Sequence, residues 1–414
     1  MPRKITVIAS LLVAFALIAI GQVKPDAALR ATDEVLQSVS RIRGLEVKQT
    51  IKRGLKTRDE IESAVIRDLN ESNTPEEFEA SRKALIKLGL IQADFALRDY
   101  YIRLLREQVA GFYQPRTQEF YLAAWLPLSE QKIVIAHELV HALQDQHFNL
   151  RRFEKWPKGD SDAELAAHAL IEGDATVVMY RYVFDQQGRS VDMRVLGALI
   201  DMLKNDSDPD AAKYPALAQA PAVLRESLQF PYAHGASFVH FVMKNRAMAD
   251  LNNAYTRLPA SSEQILHPDR YLMFDRPVKI ETPNLSEREW KQIDADVNGE
   301  FGYQVLLAEF IDKGRARSAA AGWGGDRYAL YENTRTAALM IVQYTAWDSE
   351  QDAKEFFNAY SERTRKRYKT DPAESSANRV VFNTAEGLVA IEMRSADVVI
   401  VEGAANRAEL ARAM

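Results

Sequence analysis

The chain has no cysteine. Disulfides and zinc–thiolate sites are therefore excluded, and any bound metal must be held by histidine and carboxylate. Histidine is scarce as well: seven among 414 residues, none before residue 137 and none after residue 267. Imidazole chemistry thus belongs to the middle of the chain. There is no basic excess, since 53 Lys and Arg face 58 Asp and Glu for a formal charge of −5, and nucleic acid is not an expected partner. The glycines of GWGGDR at 322–327 lack the Lys-Ser/Thr of a phosphate loop, so the segment reads as a glycine turn. No internal repeat or low-complexity tract is present, and only one apolar run approaches the length of a membrane span.

That run lies at the start. Arg3 and Lys4 precede sixteen residues, Ile5 to Ile20, and Ala19-Ile20-Gly21 supplies small residues of the kind a signal peptidase reads. Residues 1–21 are expected to be an export signal, which if left uncleaved would serve as an N-terminal membrane anchor. The protein is then periplasmic or extracellular. The remainder, with 47% hydrophobic and 27% charged residues overall, is an ordinary globular composition long enough for two or three domains.

The informative stretch is QKIVIAHELVHALQDQHF, read as a helix over 131–148. His137 and His141, four residues apart, leave a helix about 40° apart and so share one face and one cation. Glu138 lies beside that face, where a carboxylate reaches a metal-activated water without being a ligand. The apolar flanks IVIA and LVHAL make this a buried helix, and Ser129 is its expected N-cap. Before it, Gly111–Leu122 reads as a hairpin around Gln114-Pro115-Arg116-Thr117. After it, a second helix from Asp162 to about Phe184 carries Glu172 in an apolar setting, where a buried carboxylate needs a partner and a cation is a good one.

The third ligand is a contest between Glu172 and His147. His147 falls ten residues after His137, the metzincin spacing, but metzincins leave the helix through a glycine where this chain has Gln144. If the helix continues, His147 lies about 280° round and roughly 15 Å along the axis from His137, out of reach of a shared metal. Glu172 is the preferred ligand and His168 a distant third.

His137-Glu138-x-x-His141 followed by Glu172-Gly173-Asp174-Ala175 resembles the gluzincin group of zinc metallopeptidases, the thermolysin-like class. The pattern AGFY-x-P, HELVHALQDQHF, EGDAT also resembles a family of exported bacterial metallopeptidases, over roughly residues 109–272. The resemblance implies Zn2+ on His137, His141 and Glu172, Glu138 as general base, a peptide or protein substrate, and an edge strand that binds substrate backbone. It further implies a His or Tyr from a later segment that stabilises the oxyanion, with His234 the leading candidate and Tyr232 second. The chain departs from the thermolysin-like pattern in the longer interval from His141 to Glu172 and in having Thr176 where that class has an acidic residue four after the third ligand, so that Asp174 is taken as the candidate to orient His137.

Elsewhere, helices are expected at 28–42, 57–70, 74–88 and 91–108, a short strand at 45–51, and a loop or lid at 201–224. A further helix follows at 236–244, then one at 301–313, and a strand, strand, helix, three-strand unit from Tyr328. The basic run Arg363–Lys369 reads as a solvated helix end or a contact with anionic lipid. The expected fold class is α+β: an export signal at 1–21, an N-terminal helical region at 22–108 serving as pro-segment, scaffold or partner surface, a mainly helical zincin-like core with an edge hairpin at 109–317, and a small α+β subdomain at 318–414. Two rivals to a peptidase remain: a non-catalytic cell-envelope binding or assembly protein keeping a structural zinc, and a hydrolase of non-peptide amides.

Overall fold

A computed structural model of the protein describes residues 25–108, 111–123, 128–153, 156–205, 214–245, 248–286 and 289–414. The expected signal at 1–21 lies outside them. Among the described residues no helix is long and apolar enough to cross a membrane.

The fold is α+β, with a helical N-terminal part and a C-terminal antiparallel sheet. Helix α1 (Pro25–Arg43) leads to strand β1 (Lys52–Lys56), then α2 (Arg58–Ser72), α3 (Pro75–Lys87) and α4 (Leu97–Gln108). Thr57 and Thr74 begin α2 and α3 with reciprocal capping boxes to Glu60 and Glu77, so those starts follow from local sequence. Two expectations here are corrected. Residues 45–51 form no strand, the strand being 52–56, and α4 starts at Leu97 rather than Ile91.

Strands β2 (Gly111–Gln114) and β3 (Glu119–Ala123) form the expected hairpin, and β1 adds in parallel on the far side of β3 to give the order β1-β3-β2. Among the described residues the edges of that sheet are therefore β1 and β2. Helix α5 (Leu128–Phe148) begins ahead of the predicted start, which puts Ser129 in its first turn instead of at a cap. Its residues are buried on every side from Val134 to Asp145, packed between the hairpin and α1 in one core that joins Val35, Val39, Phe120, Leu139 and Leu143.

Helix α6 (Ser161–Asp185) lies against α5 and is crossed by α9 (Ala222–Asn245). The crossing is closer than side chains allow. A Cβ on Gly173 would stand 2.1 Å from the carbonyl carbon of Gly235, and one on Gly235 would stand 2.0 Å from the Ala169 oxygen. Two glycines thus set the distance between the helices that carry Glu172 and Tyr232. Helix α9 runs through Pro231 without a break, so the expected short helix at 236–244 is the end of one that starts fourteen residues earlier. The expected lid at 201–224 is also corrected: α7 (Met193–Asn205) and α8 (Pro215–Ala218) occupy its ends. Short helices α10 (Met248–Thr256), α11 (Ser262–Leu266) and α12 (Pro268–Met273) complete the helical part.

The C-terminal sheet has seven strands in the order β4-β5-β6-β10-β9-β8-β7, all antiparallel. They are β4 (Trp290–Asp296), β5 (Trp323–Asn333), β6 (Leu339–Trp347), β7 (Glu374–Ser375), β8 (Arg379–Thr384), β9 (Gly387–Arg394) and β10 (Asp397–Ala404). Helices α13 (Gly299–Ala308) and α14 (Lys313–Ala320) bridge β4 and β5, while α15 (Glu350–Tyr368) and α16 (Arg407–Ala413) follow β6 and β10. Strand alternation explains the layering: Leu330, Ile341, Ile391 and Ile400 face the main core, and Tyr331, Val342, Ala390 and Val401 face the core that holds Leu410 of α16. Because β4 belongs to this sheet, the unit starts near residue 290 rather than 318. The GWGGDR segment is the start of β5, with a bulge between Trp323 and Gly325, not a free turn. Two residues of the basic run are internal too: Arg363 is fully buried and Arg367 nearly so, both against Glu402.

A candidate metal centre

One face of α5 and one turn of α6 converge on a small triangle. His137 Nε2 lies 3.0 Å from Glu172 Oε2, His141 Nε2 lies 3.1 Å from His137 Nε2, and His141 Nε2 lies 3.4 Å from the same Glu172 oxygen. All three residues are buried, and together they form a group able to hold a metal ion. Donors held about 2.0–2.1 Å from a tetrahedral cation stand roughly 3.3 Å apart, so the triangle has the size such an ion requires. Nitrogen and carboxylate oxygen donors in a two-His, one-carboxylate set also suit a borderline cation with one position left open.

Charge is tightly coupled here. Burial pushes the Glu138 carboxyl up to about 8, against the opposing pull of the His141 ring. His141 is raised to about 9: burial lowers it, but the Glu172 charge and hydrogen bond outweigh that. Glu172 is penalised by burial yet held well below the usual carboxylate range by His141 and His137. His137 is lowered, by burial and then by His141. The four groups behave as one unit of linked charge.

Glu138 stands at the β2 edge of the small sheet. The Tyr113 backbone N–H on β2 donates to Glu138 Oε2 at 2.7 Å, so hairpin and helix are joined at the carboxylate. Gly111 allows that approach, since a Cβ there would press on Val134 and on the Tyr121 carbonyl oxygen. The Tyr113 hydroxyl donates at 2.9 Å to Asp145, whose other oxygen accepts from Leu150 N–H at the end of α5.

Behind the triangle lies a second layer that the sequence did not disclose. His141 Nδ1 bonds to Gln144 Oε1 at 2.8 Å, and Gln144 Nε2 donates to the Ile171 carbonyl and to Asp174 Oδ2, both at 3.1 Å. Asp174 therefore acts on His141 through Gln144, and not on His137 as expected. Gln144 was available as a signal: it lies three residues after His141 on the same helix face.

The other candidates separate cleanly. The Tyr232 ring lies 6.0 Å from that of His137, beside the triangle. His234, the leading oxyanion candidate, is a correction: two positions along a helix turn a side chain by about 200°, and it stacks on Phe230 in a different cleft with Lys204, Arg317 and His267. Burial, with Lys204 and Arg317, pushes it down to about 4. His147 is on an unbroken helix and bonds to the Glu46 carbonyl at 2.8 Å, away from the triangle. His168 donates from Nδ1 to the Glu164 carbonyl one turn before Glu172. His267 pairs with Glu300 at 3.0 Å.

Comparison with known proteins reaches only the other end of the chain. Residues 287–414 match a family model described as a domain of unknown function (DUF8575), which takes in the seven-stranded sheet and α13 to α16 but none of the triangle. No curated protein and no solved structure matches the chain.

Proposed function

We propose that the protein is an exported zinc-dependent peptidase of gluzincin type, with zinc on His137, His141 and Glu172. The observation that carries the reading is Glu138, a fully buried carboxylate placed beside the triangle and fastened to the strand edge by the Tyr113 N–H. A buried carboxylate is costly to keep, and a purely structural metal site has no use for one next to its ligands. That disfavours the rival reading of a binding or assembly protein with structural zinc.

Bound zinc would supply Lewis acidity, easing deprotonation of a water and polarising the substrate carbonyl. Glu138 takes the proton from that water and returns it to the leaving amine, so that one water and one peptide bond give a carboxylate and an amine. The Tyr113 N–H keeps the carboxylate from rotating away. Tyr232, whose ring stands 6.0 Å from that of His137, is the candidate donor to the oxyanion of the tetrahedral intermediate. Edge strand β2 offers main-chain groups other than the Tyr113 N–H to an extended peptide, which fits a peptide better than a small amide. Residues 1–21 direct export.

Cleavage of a peptide library by zinc-loaded wild type and Glu138→Gln tests the proposal. The variant is expected to keep its zinc and lose about 10²- to 10⁴-fold in turnover. Equal cleavage by both, or no cleavage by the zinc-loaded wild type, refutes it.

A further inference from the structure

We infer that Arg43, in the last turn of α1, is a positioning residue for the metal centre, acting on His141 through Asp174 and Gln144. The inference rests on the reading of His137, His141 and Glu172 as metal ligands, and adds to it a part of the chain about a hundred residues upstream.

The Gln144 amide has one accepting end and one donating end. Two acceptors, the Ile171 carbonyl and Asp174 Oδ2, both claim the donating end. Oε1 is thereby turned toward His141, whose Nδ1 must carry the hydrogen it donates. The lone pair is then left on Nε2, the atom that faces His137 and Glu172. A reversed amide would present N–H groups to Nδ1 and put the hydrogen on Nε2, where it would block a cation. Asp174 biases the amide against reversal.

Asp174 is held in turn by two donors. Arg43 Nε reaches its oxygens at 2.7 and 2.9 Å, and the Tyr255 hydroxyl reaches Oδ2 at 2.8 Å. Both side chains of the Arg43–Asp174 pair are 0% exposed. Such a pair is a poor stabiliser on its own, because desolvation offsets most of the attraction. This one is poorer still, since Arg43 Nη1 and Nη2 are buried and find no acceptor within hydrogen-bond distance among the described residues. Packing alone would be served as well by two apolar side chains; orienting Gln144 would not.

The placement of α1 agrees. Val35, Leu36 and Val39 share a core with Leu139, Val140 and Leu143 of the site helix, and β1 pairs with β3 on the edge opposite β2. The segment is built into the back of the centre and is not laid across the strand edge that would receive substrate, as an inhibitory pro-segment would be. Residues 25–56 therefore belong to the working unit.

A double-mutant cycle read by zinc affinity provides the test, using chelator competition on the full mature chain with folding checked by circular dichroism. Arg43→Met and Gln144→Met are each expected to weaken zinc binding about 10- to 100-fold. The double variant should lose little more than either alone, because both act through one amide. Arg43→Lys, which keeps the charge, should restore most of the affinity, and the visible spectrum of the cobalt-substituted protein should shift in Arg43→Met and return in Arg43→Lys. If Arg43→Met does not fold, Arg43→Gln, which removes the charge but keeps a polar side chain, replaces it: it should weaken zinc binding in the wild-type background and leave it nearly unaltered in the Gln144→Met background. Wild-type affinity in a folded Arg43→Met chain, or additive losses in the double variant, overturns the inference. A wild type that binds zinc but cleaves no peptide overturns the peptidase reading alone, whereas one that binds no zinc overturns both.

Discussion

At the scale of single residues, Tyr232 and His234 give the sharpest contrast. They are two positions apart in one helix, yet one ring stands beside His137 and the other lines a separate cleft. Tyr232→Phe is expected to lower turnover about 10²- to 10³-fold, the usual effect of losing one oxyanion donor, without change in zinc content. His234→Ala should stay within a few-fold of wild type. Steady-state kinetics on one cleaved peptide separates the two, and the reverse order would return the role to His234. Their ranking was not legible in the sequence, because Pro231 concealed that the helix runs on through it and so hid which face each residue takes. The ligand pair and the base were legible, being fixed by spacing within a single helix. Contacts joining Arg43 to Asp174, Tyr113 to Glu138 and Gln144 to Asp174 span 131, 25 and 30 residues, and no local pattern encodes them.

At the scale of elements, the site depends on how closely α6 and α9 approach. Gly173→Ala would place a methyl group 2.1 Å from the Gly235 carbonyl carbon, a contact relieved only by moving one helix. A destabilisation of about 1–3 kcal/mol or more is expected, with a fall in zinc affinity because Glu172 is the neighbouring residue. Gly54→Ala in β1, whose Cβ would meet Tyr121 at an ordinary 3.6 Å, is the control and should change the melting temperature little. Equal melting temperatures for wild type and Gly173→Ala would show that the crossing tolerates a side chain. Capped helices such as α2 and α3 were readable from Thr-x-x-Glu, and the strands from their alternation. Where prediction slipped, as with β1 and the GWGGDR segment, a polar or glycine-rich stretch is a strand only because a neighbouring strand pairs with it.

At the scale of the whole molecule, the N-terminal helices and the C-terminal sheet are joined through buried charge. Arg363 and Arg367 hold Glu402 at 2.8 Å each, Arg367 also donates to the Lys87 carbonyl at the end of α3 at 2.6 Å, and Lys87 reaches Glu386 at 2.9 Å. Burial raises the Glu402 carboxyl, but Arg363 and Arg367 outweigh it and bring it down to about 2. A folded value below the unfolded one means stabilisation that is complete above the ordinary carboxylate range and lost as pH falls from about 4.5 toward about 2. Urea unfolding followed over that range should show a loss on the order of 3 kcal/mol from this group. Glu402→Gln should flatten that part of the profile while weakening the chain at neutral pH, and an unchanged acid profile would remove Glu402 from the account. The division into parts was only coarsely legible, since β4 is separated in sequence from β5, the strand it pairs with, by the two helices α13 and α14. The central claim, that His137, His141 and Glu172 hold a metal, is tested most directly by zinc content after exhaustive dialysis, compared among wild type, Glu172→Ala and His147→Ala. About one zinc per chain is expected in wild type and in His147→Ala, with sharply reduced content in Glu172→Ala; full occupancy in Glu172→Ala, or loss in His147→Ala, would contradict it.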